Sequence, residues 1–180
     1  MSNLSDLTGT WQIDPAHSTV GFSAKHAMVT TVHGTFGGVD GTITVNSPDS
    51  ADVNVTIDTT TVDTGQEMRD NHLRSADFLD VENNPAITFV STGVSDIDDD
   101  EFTLNGDLTI RGTTRPVSLK AEFAGTQVDH RGSKRAGFEA TTTISRKDFG
   151  LTWNAALEAG GVLVSDKIKI NLDVSAIQQA

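Results

Sequence analysis

His26, His33 and His72 are the side chains in this sequence with the widest chemical reach. A neutral imidazole ligates metals and moves protons, and a protonated one binds anions. Their spacing shows neither the His-x-His nor the His-Glu-x-x-His pattern that seats zinc on one strand or helix. Cysteine is absent, which removes thiolate nucleophiles, disulfides and sulfur-ligated metal centres. His17-Ser18 and Ser75 lack the Gly-x-Ser-x-Gly setting of a nucleophile elbow. Asp96-Ile-Asp-Asp-Asp-Glu101 resembles half a calcium loop, but without the central glycine and distal glutamate it reads as a solvated hairpin tip. Gly34-x-x-Gly37-Gly38 lacks the lysine and helix of a phosphate loop. No catalytic residue, metal ligand or cofactor site is assigned.

The bulk numbers narrow the classes further. A chain of 180 residues suits one domain around one core. Its formal charge of −12 opposes nucleic acid, whose binding relies on Lys and Arg replacing counterions at phosphates. The longest apolar runs, such as Val162-Leu163-Val164, are too short to cross a bilayer as a helix. Met1–Trp11 has no basic start followed by an apolar stretch, so no signal peptide is visible and a cytoplasmic location is expected.

The elements that must position any site are strands. Val53, Val55 and Ile57 alternate with polar residues, as do Val20, Phe22 and Ala24. Val117–Phe123, Ala136–Ile144 and Ile168–Val174 repeat the pattern, with weaker versions at 35–45, 87–94 and 102–110. Asp40-Gly41, Asn46-Ser47-Pro48-Asp49, Asn105-Gly106, Arg111-Gly112 and Arg131-Gly132 punctuate them with turn chemistry. About eight strands at this spacing make a sandwich or a barrel. The rhythm breaks at 66–79, where one or two short helices are expected, ended by Asp77 and Asn83-Asn84-Pro85. Such a helix often caps a barrel end.

A closed eight-stranded barrel is either filled by its side chains or holds one small ligand. Ala136, Ala140 and Thr142 are small, and Gly21, Gly37 and Gly38 remove further volume, which favours a hollow interior. The same residues would also suit strand coiling or bulges in a filled barrel.

Five motifs carry a family resemblance. Trp11-Gln-Ile-Asp-Pro-Ala-His-Ser-Thr-Val-Gly-Phe-Ser-Ala-Lys-His26, then Val32-His-Gly-Thr-Phe36 with Gly41, resemble the opening of the YceI-like, polyisoprenoid-binding family. Arg69-Asp-Asn-His-Leu-Arg-Ser-Ala-Asp-Phe78, with Pro85 and Phe89, is similar to its helical insertion. Gly106-Asp-Leu-Thr-Ile-Arg-Gly-Thr-Thr-Arg-Pro-Val117 resembles a later strand pair, and Arg135-Ala-Gly-Phe-Glu-Ala140 with Arg146-Lys-Asp-Phe-Gly150 resembles the strands after it. Two features depart from the family: Asn84 stands where an aromatic residue often precedes the proline, and tyrosine is absent.

The resemblance implies an all-β, lipocalin-like extended eight-stranded antiparallel barrel over 8–178, with 1–7 a flexible N-terminus. It also implies a long-chain amphiphile as ligand, such as a polyprenyl phosphate, a quinone or a fatty amide, held by a carrier, storage or sensor protein. Phe22, Phe36, Val55, Ile57, Phe78, Phe89, Phe123, Phe138, Trp153 and Ile170 are the expected tail contacts, and Trp11 packs at a barrel end. His26, Arg69, His72 and Arg74 are the expected head-group donors, unless the arginines pair with Asp70 and Asp77. Two alternatives stand beside this reading. One is an isoprenoid- or polyketide-modifying enzyme, or a haem-binding barrel, using cavity histidines. The other is a structural module without a cavity. A homodimer is compatible with each.

Overall fold

A computed structural model of the chain describes residues 4–155, 157 and 163–180. The strands are β1 (Gly9–Ile13), β2 (Thr19–His26), β3 (Thr30–Phe36), β4 (Val39–Ser47), β5 (Ser50–Asp58), β6 (Val62–Asp63), β7 (Ala86–Asp98), β8 (Glu101–Ile110), β9 (Thr113–Val128), β10 (Lys134–Ser145) and β11 (Lys167–Gln178), with one helix, α1 (Glu67–Arg74), between β6 and β7.

Three of these strands are interrupted, which reduces the segments to an eight-stranded closed antiparallel barrel. Proline cannot donate to a ladder, and Pro15 opens a single 3-10 turn between β1 and β2, capped by the Asp14 side chain on the Ala16 N–H at 3.0 Å. Gly37-Gly38 separates β3 from β4. Thr59–Thr61 separates β5 from β6, with Asp58 accepting from the Thr60 N–H.

Pairing runs β1-β4-β5-β7-β8-β9-β10-β11 and closes where Trp11 meets Gln178. At the other end β2 takes over the edge of β11, with Phe22 opposite Ile170, and β3 and β6 extend the wall. One end, the base, therefore carries the β4–β5, β7–β8 and β9–β10 turns and the C-terminus. The other, the mouth, carries the β2–β3 turn, α1, the β8–β9 turn and the connection after β10. Asp96–Glu101 forms the β7–β8 turn at the base, the hairpin tip its composition suggests.

The base is sealed from within. Trp11, 1 % exposed, donates its indole N–H to the Leu7 carbonyl at 2.7 Å and packs in the core with Leu4 and Leu7. The sequence reading set residues 1–7 aside as a flexible terminus, yet Leu4–Leu7 forms a 3-10 turn whose leucines are buried. Two leucines three residues apart, just before a strand, are too weak a pattern to reveal a plug. Among the described residues no helix is long and apolar enough to cross a membrane.

Candidate functional site: an apolar tunnel with a polar mouth

The barrel is hollow, with a cavity of about 600 Å³ lined from mouth to base. Alternation sends Ile168, Ile170, Leu172 and Val174 of β11 inward, and all four line the space. Across from them β10 presents Ala140 and Thr142, whose short side chains leave the room that Leu or Phe would fill. Ala24, Ala51 and Ala121 also line the cavity. Gly21 contributes in the same way, whereas Gly37 and Gly38 sit at the β3–β4 joint outside the lining, and Ala136 is buried in the core at the base.

Of the expected tail contacts, Phe22, Phe36, Val55, Ile57, Phe78, Phe89, Phe138, Trp153 and Ile170 line the cavity. Phe123 does not. It continues the inward alternation of Val117, Leu119 and Ala121 but is packed in the core near the base, with its ring 5.6 Å from Phe138. A register shift at Gly137/Phe138 brings the two rings together, and nothing in β9's own alternation announces it.

Most polar lining residues gather at the mouth, Lys25, His26, Thr64, Gln66, Arg69, His72 and Arg146, while Ser47 lies at the base and Thr142 between them. Arg69 donates Nε to the Thr64 hydroxyl at 2.7 Å and Nη2 to the Thr64 carbonyl at 2.8 Å. Buried Asp70 accepts from the Thr64 N–H at 2.8 Å, so the turn before α1 is stitched to the helix and Arg69 is held at the rim. Arg74 lies outside the lining. It donates to the carbonyls of Thr60 and Val62 and to Asn71, and so ties α1 to the β5–β6 joint. Neither arginine pairs with Asp70 or Asp77. His33 faces outward on β3.

His72 is placed by aromatic rings. Its Nε2 is 2.8 Å from an Asp77 carboxylate oxygen, and its ring meets Phe78 and Trp153 edge-on at 5.0 and 4.6 Å. Trp153 owes its position to Arg146, 3 % exposed, whose guanidinium donates to the carbonyls of Leu151, Trp153, Val164 and Ser165. Burial lowers the Arg146 pKa from its usual value, and Asp166 partly offsets that. Asn154 clamps Val164 with two further bonds of 2.8 and 3.0 Å.

Sequence reasoning missed Lys25, Thr64, Gln66 and Arg146. Arg146 belongs to one of the family motifs, but a guanidinium bound wholly to carbonyls leaves no partner pattern in sequence. Lys25 alternates with Ala24 and so reads as outward from β2's pattern alone, although it lines the mouth.

This geometry has relatives. The profile of the YceI-like domain matches residues 11–176, most of the chain. The chain belongs to the YceI-like family. It is 43% identical over 165 residues to Protein YceI of Escherichia coli O157:H7, covering 91% of this chain and 83% of that one. The YCEI protein of Campylobacter jejuni superposes with a TM-score of 0.74 at 29% identity, over 87% of this chain and 90% of that one. A polyisoprenoid-binding domain from Saccharophagus degradans shares the fold with a TM-score of 0.73 at 12% identity, over 94% and 98% of the two chains. In this chain the closed antiparallel wall and the short helix α1 are those the motifs lead one to expect.

Proposed function

We propose that the protein binds a long-chain amphiphile of the isoprenoid type, its tail in the barrel and its head at the mouth, as a carrier, storage or sensor protein. The observation that carries this is the polarity of one cavity: apolar along its length, with Lys25, His26, Arg69 and His72 gathered at one end. A volume of about 600 Å³ is within the range of small-molecule sites. At about 30 Å³ per water-sized group it takes roughly 20 such groups. At about 0.3 kcal/mol per atom, a tail of that size supplies about 6 kcal/mol, a Kd of tens of micromolar. Arg69 and the imidazoles then add charge-assisted bonds to a phosphate, or ordinary ones to a quinone oxygen.

The polyisoprenoid-binding neighbour supports this class of ligand. An enzymatic or haem-binding role has less support. His72 has its carboxylate partner, but the Ser75 hydroxyl donates to the His72 carbonyl rather than to the ring. No cluster of three metal-ligating side chains occurs among the described residues.

Native mass spectrometry of purified protein incubated with a prenyl phosphate or a prenyl quinone tests the proposal. One ligand per chain is expected, lost in Ala140→Phe, which fills the lumen. Absence of uptake by the wild type, or uptake undiminished in Ala140→Phe, overturns it. Turnover of the prenyl substrate that vanishes in His26→Ala and His72→Ala would instead establish an enzyme.

A further inference from the structure

The mouth has apolar side chains that stand exposed among the described residues. Met28 and Val29, at the tip of the β2–β3 turn, are 63% and 79% exposed, and Met68, on the first turn of α1, is 83% exposed while also lining the cavity. Scattered apolar residues on a surface are ordinary, but these share the end of the molecule at which the lumen opens, and Met68 lines the lumen itself.

The tip is also built against local preference. Ala27 and Met28 have φ of +50° and +66°, the conformation of a tight hairpin turn that favours Asn and Gly, and the turn closes with the Val29 N–H on the His26 carbonyl at 3.2 Å. Among the described residues, the other non-glycine residues of positive φ are aspartates and one arginine. Strain carried by exposed apolar side chains points to a use for those side chains.

Charge favours the same end. Asp96, Asp98, Asp99, Asp100 and Glu101 crowd the base at the β7–β8 turn and outnumber Arg131, Lys134 and Arg135 there, while at the mouth Lys25, Arg69, Arg74, Arg111 and Lys147 stand among Asp63, Glu67, Asp77, Asp80, Glu82 and Asp148, so the mouth is the less acidic end. Exposed Ile97 and Val128 are at the base, Ile97 within the acidic β7–β8 turn, and neither lines the cavity.

We propose that Met28, Val29 and Met68 form a membrane-docking rim that seats the mouth on a lipid bilayer, so that an apolar chain passes between bilayer and lumen. This rests on the lipid-binding reading of the cavity. Each methylene crossing open water costs about fourfold in partition, so a rim immersed in the bilayer interface removes the largest barrier to loading. The acidic base is repelled by anionic lipids and leaves the mouth as the approaching end.

Flotation with phosphatidylcholine vesicles containing some phosphatidylglycerol tests the rim. The wild type should float with the vesicles, and Met28→Asp/Val29→Asp should cut the floating fraction at least tenfold. Ala27→Asn/Met28→Gly supplies the residues the turn prefers, so it should melt no lower than wild type and still lose most vesicle association, which separates docking from misfolding. No flotation of the wild type, or equal flotation of the aspartate variant, overturns the proposal. Uptake of a detergent-dispersed prenyl phosphate, measured in parallel, should be unchanged in both variants. Loss of uptake by every protein including the wild type sinks the cavity reading instead, while flotation still decides the rim.

Discussion

The imidazole of His72 stands edge-on to the indole of Trp153, with ring centroids 4.6 Å apart and planes at 84°. One ring comes from α1 and the other from the segment after β10, so this contact joins two elements across the mouth. It gives the cavity a spectroscopic reporter, because the other tryptophan, Trp11, is buried at the base.

In a Trp11→Phe background, Trp153 emission should change on addition of a prenyl ligand. His72→Ala should remove an edge-to-face contact worth about 1 kcal/mol and weaken ligand binding several-fold. A titration that leaves Trp153 emission unmoved places the ligand elsewhere.

Arg146 should matter more to the fold than any head-group candidate. Arg146→Met strands four carbonyls in a buried site and should destabilise the protein by about 3 kcal/mol in urea unfolding. Arg69→Met leaves the core intact and should cost under about 1 kcal/mol while weakening binding of a phosphate head. The reverse order of stabilities would refute the roles assigned to the two residues.

Acid sensitivity should trace to an ion triad near the base. Arg135 donates to Asp14 at 2.7 Å and to Asp129 at 2.8 Å, and His17 also meets Asp14 at 2.7 Å. The Arg135 guanidinium, then His17, holds the Asp14 pKa down at about 2, and Arg135 lowers Asp129 as well. Because the folded values are depressed, the stabilisation is complete above the unfolded pKa near 3.8 and is lost as pH falls towards about 2. Asp14→Asn should therefore melt lower at pH 7, by about 1 kcal/mol after solvent screening, and approach wild type at pH 2. Parallel pH–stability curves for the two proteins would contradict this.

Gly34 should be intolerant of any side chain. A Cβ there would be 2.3 Å from the Phe22 ring, which covers the glycine across the β2–β3 pair. Gly34→Ala should push Phe22 into the lumen, destabilise by about 1–3 kcal/mol and reduce tail binding about tenfold. Gly93→Ala, with nothing within 4 Å of its Cβ, is the control and should bind normally.

Local patterns carried much of this. Period-two alternation identifies the strands because a barrel wall has one face to water and one to the interior, and side chains on a strand alternate between them. The break at 66–79 is equally local: α1 occupies Glu67–Arg74 because alternation fails there and helix formers collect. Small residues at Ala140 and Thr142 were visible as well, although whether they relieve crowding or open a lumen depends on what β11 places opposite them.

What the chain's residues determined by themselves is thus an all-β wall, its succession of strands and turns along the chain, and most of its inward set, while the choice of barrel over sandwich came from the family motifs. Tertiary structure alone decided that Leu4 and Leu7 plug the base, that Arg74 serves the wall and Arg69 the rim, that Phe123 falls outside the lumen, and that Arg146 holds Trp153 against His72. The division has one cause. Alternation and turn chemistry act between near neighbours in sequence, whereas a hydrogen bond from Arg146 to Val164, or a ring contact from α1 to Trp153, depends on where closure of the sheet brings distant segments.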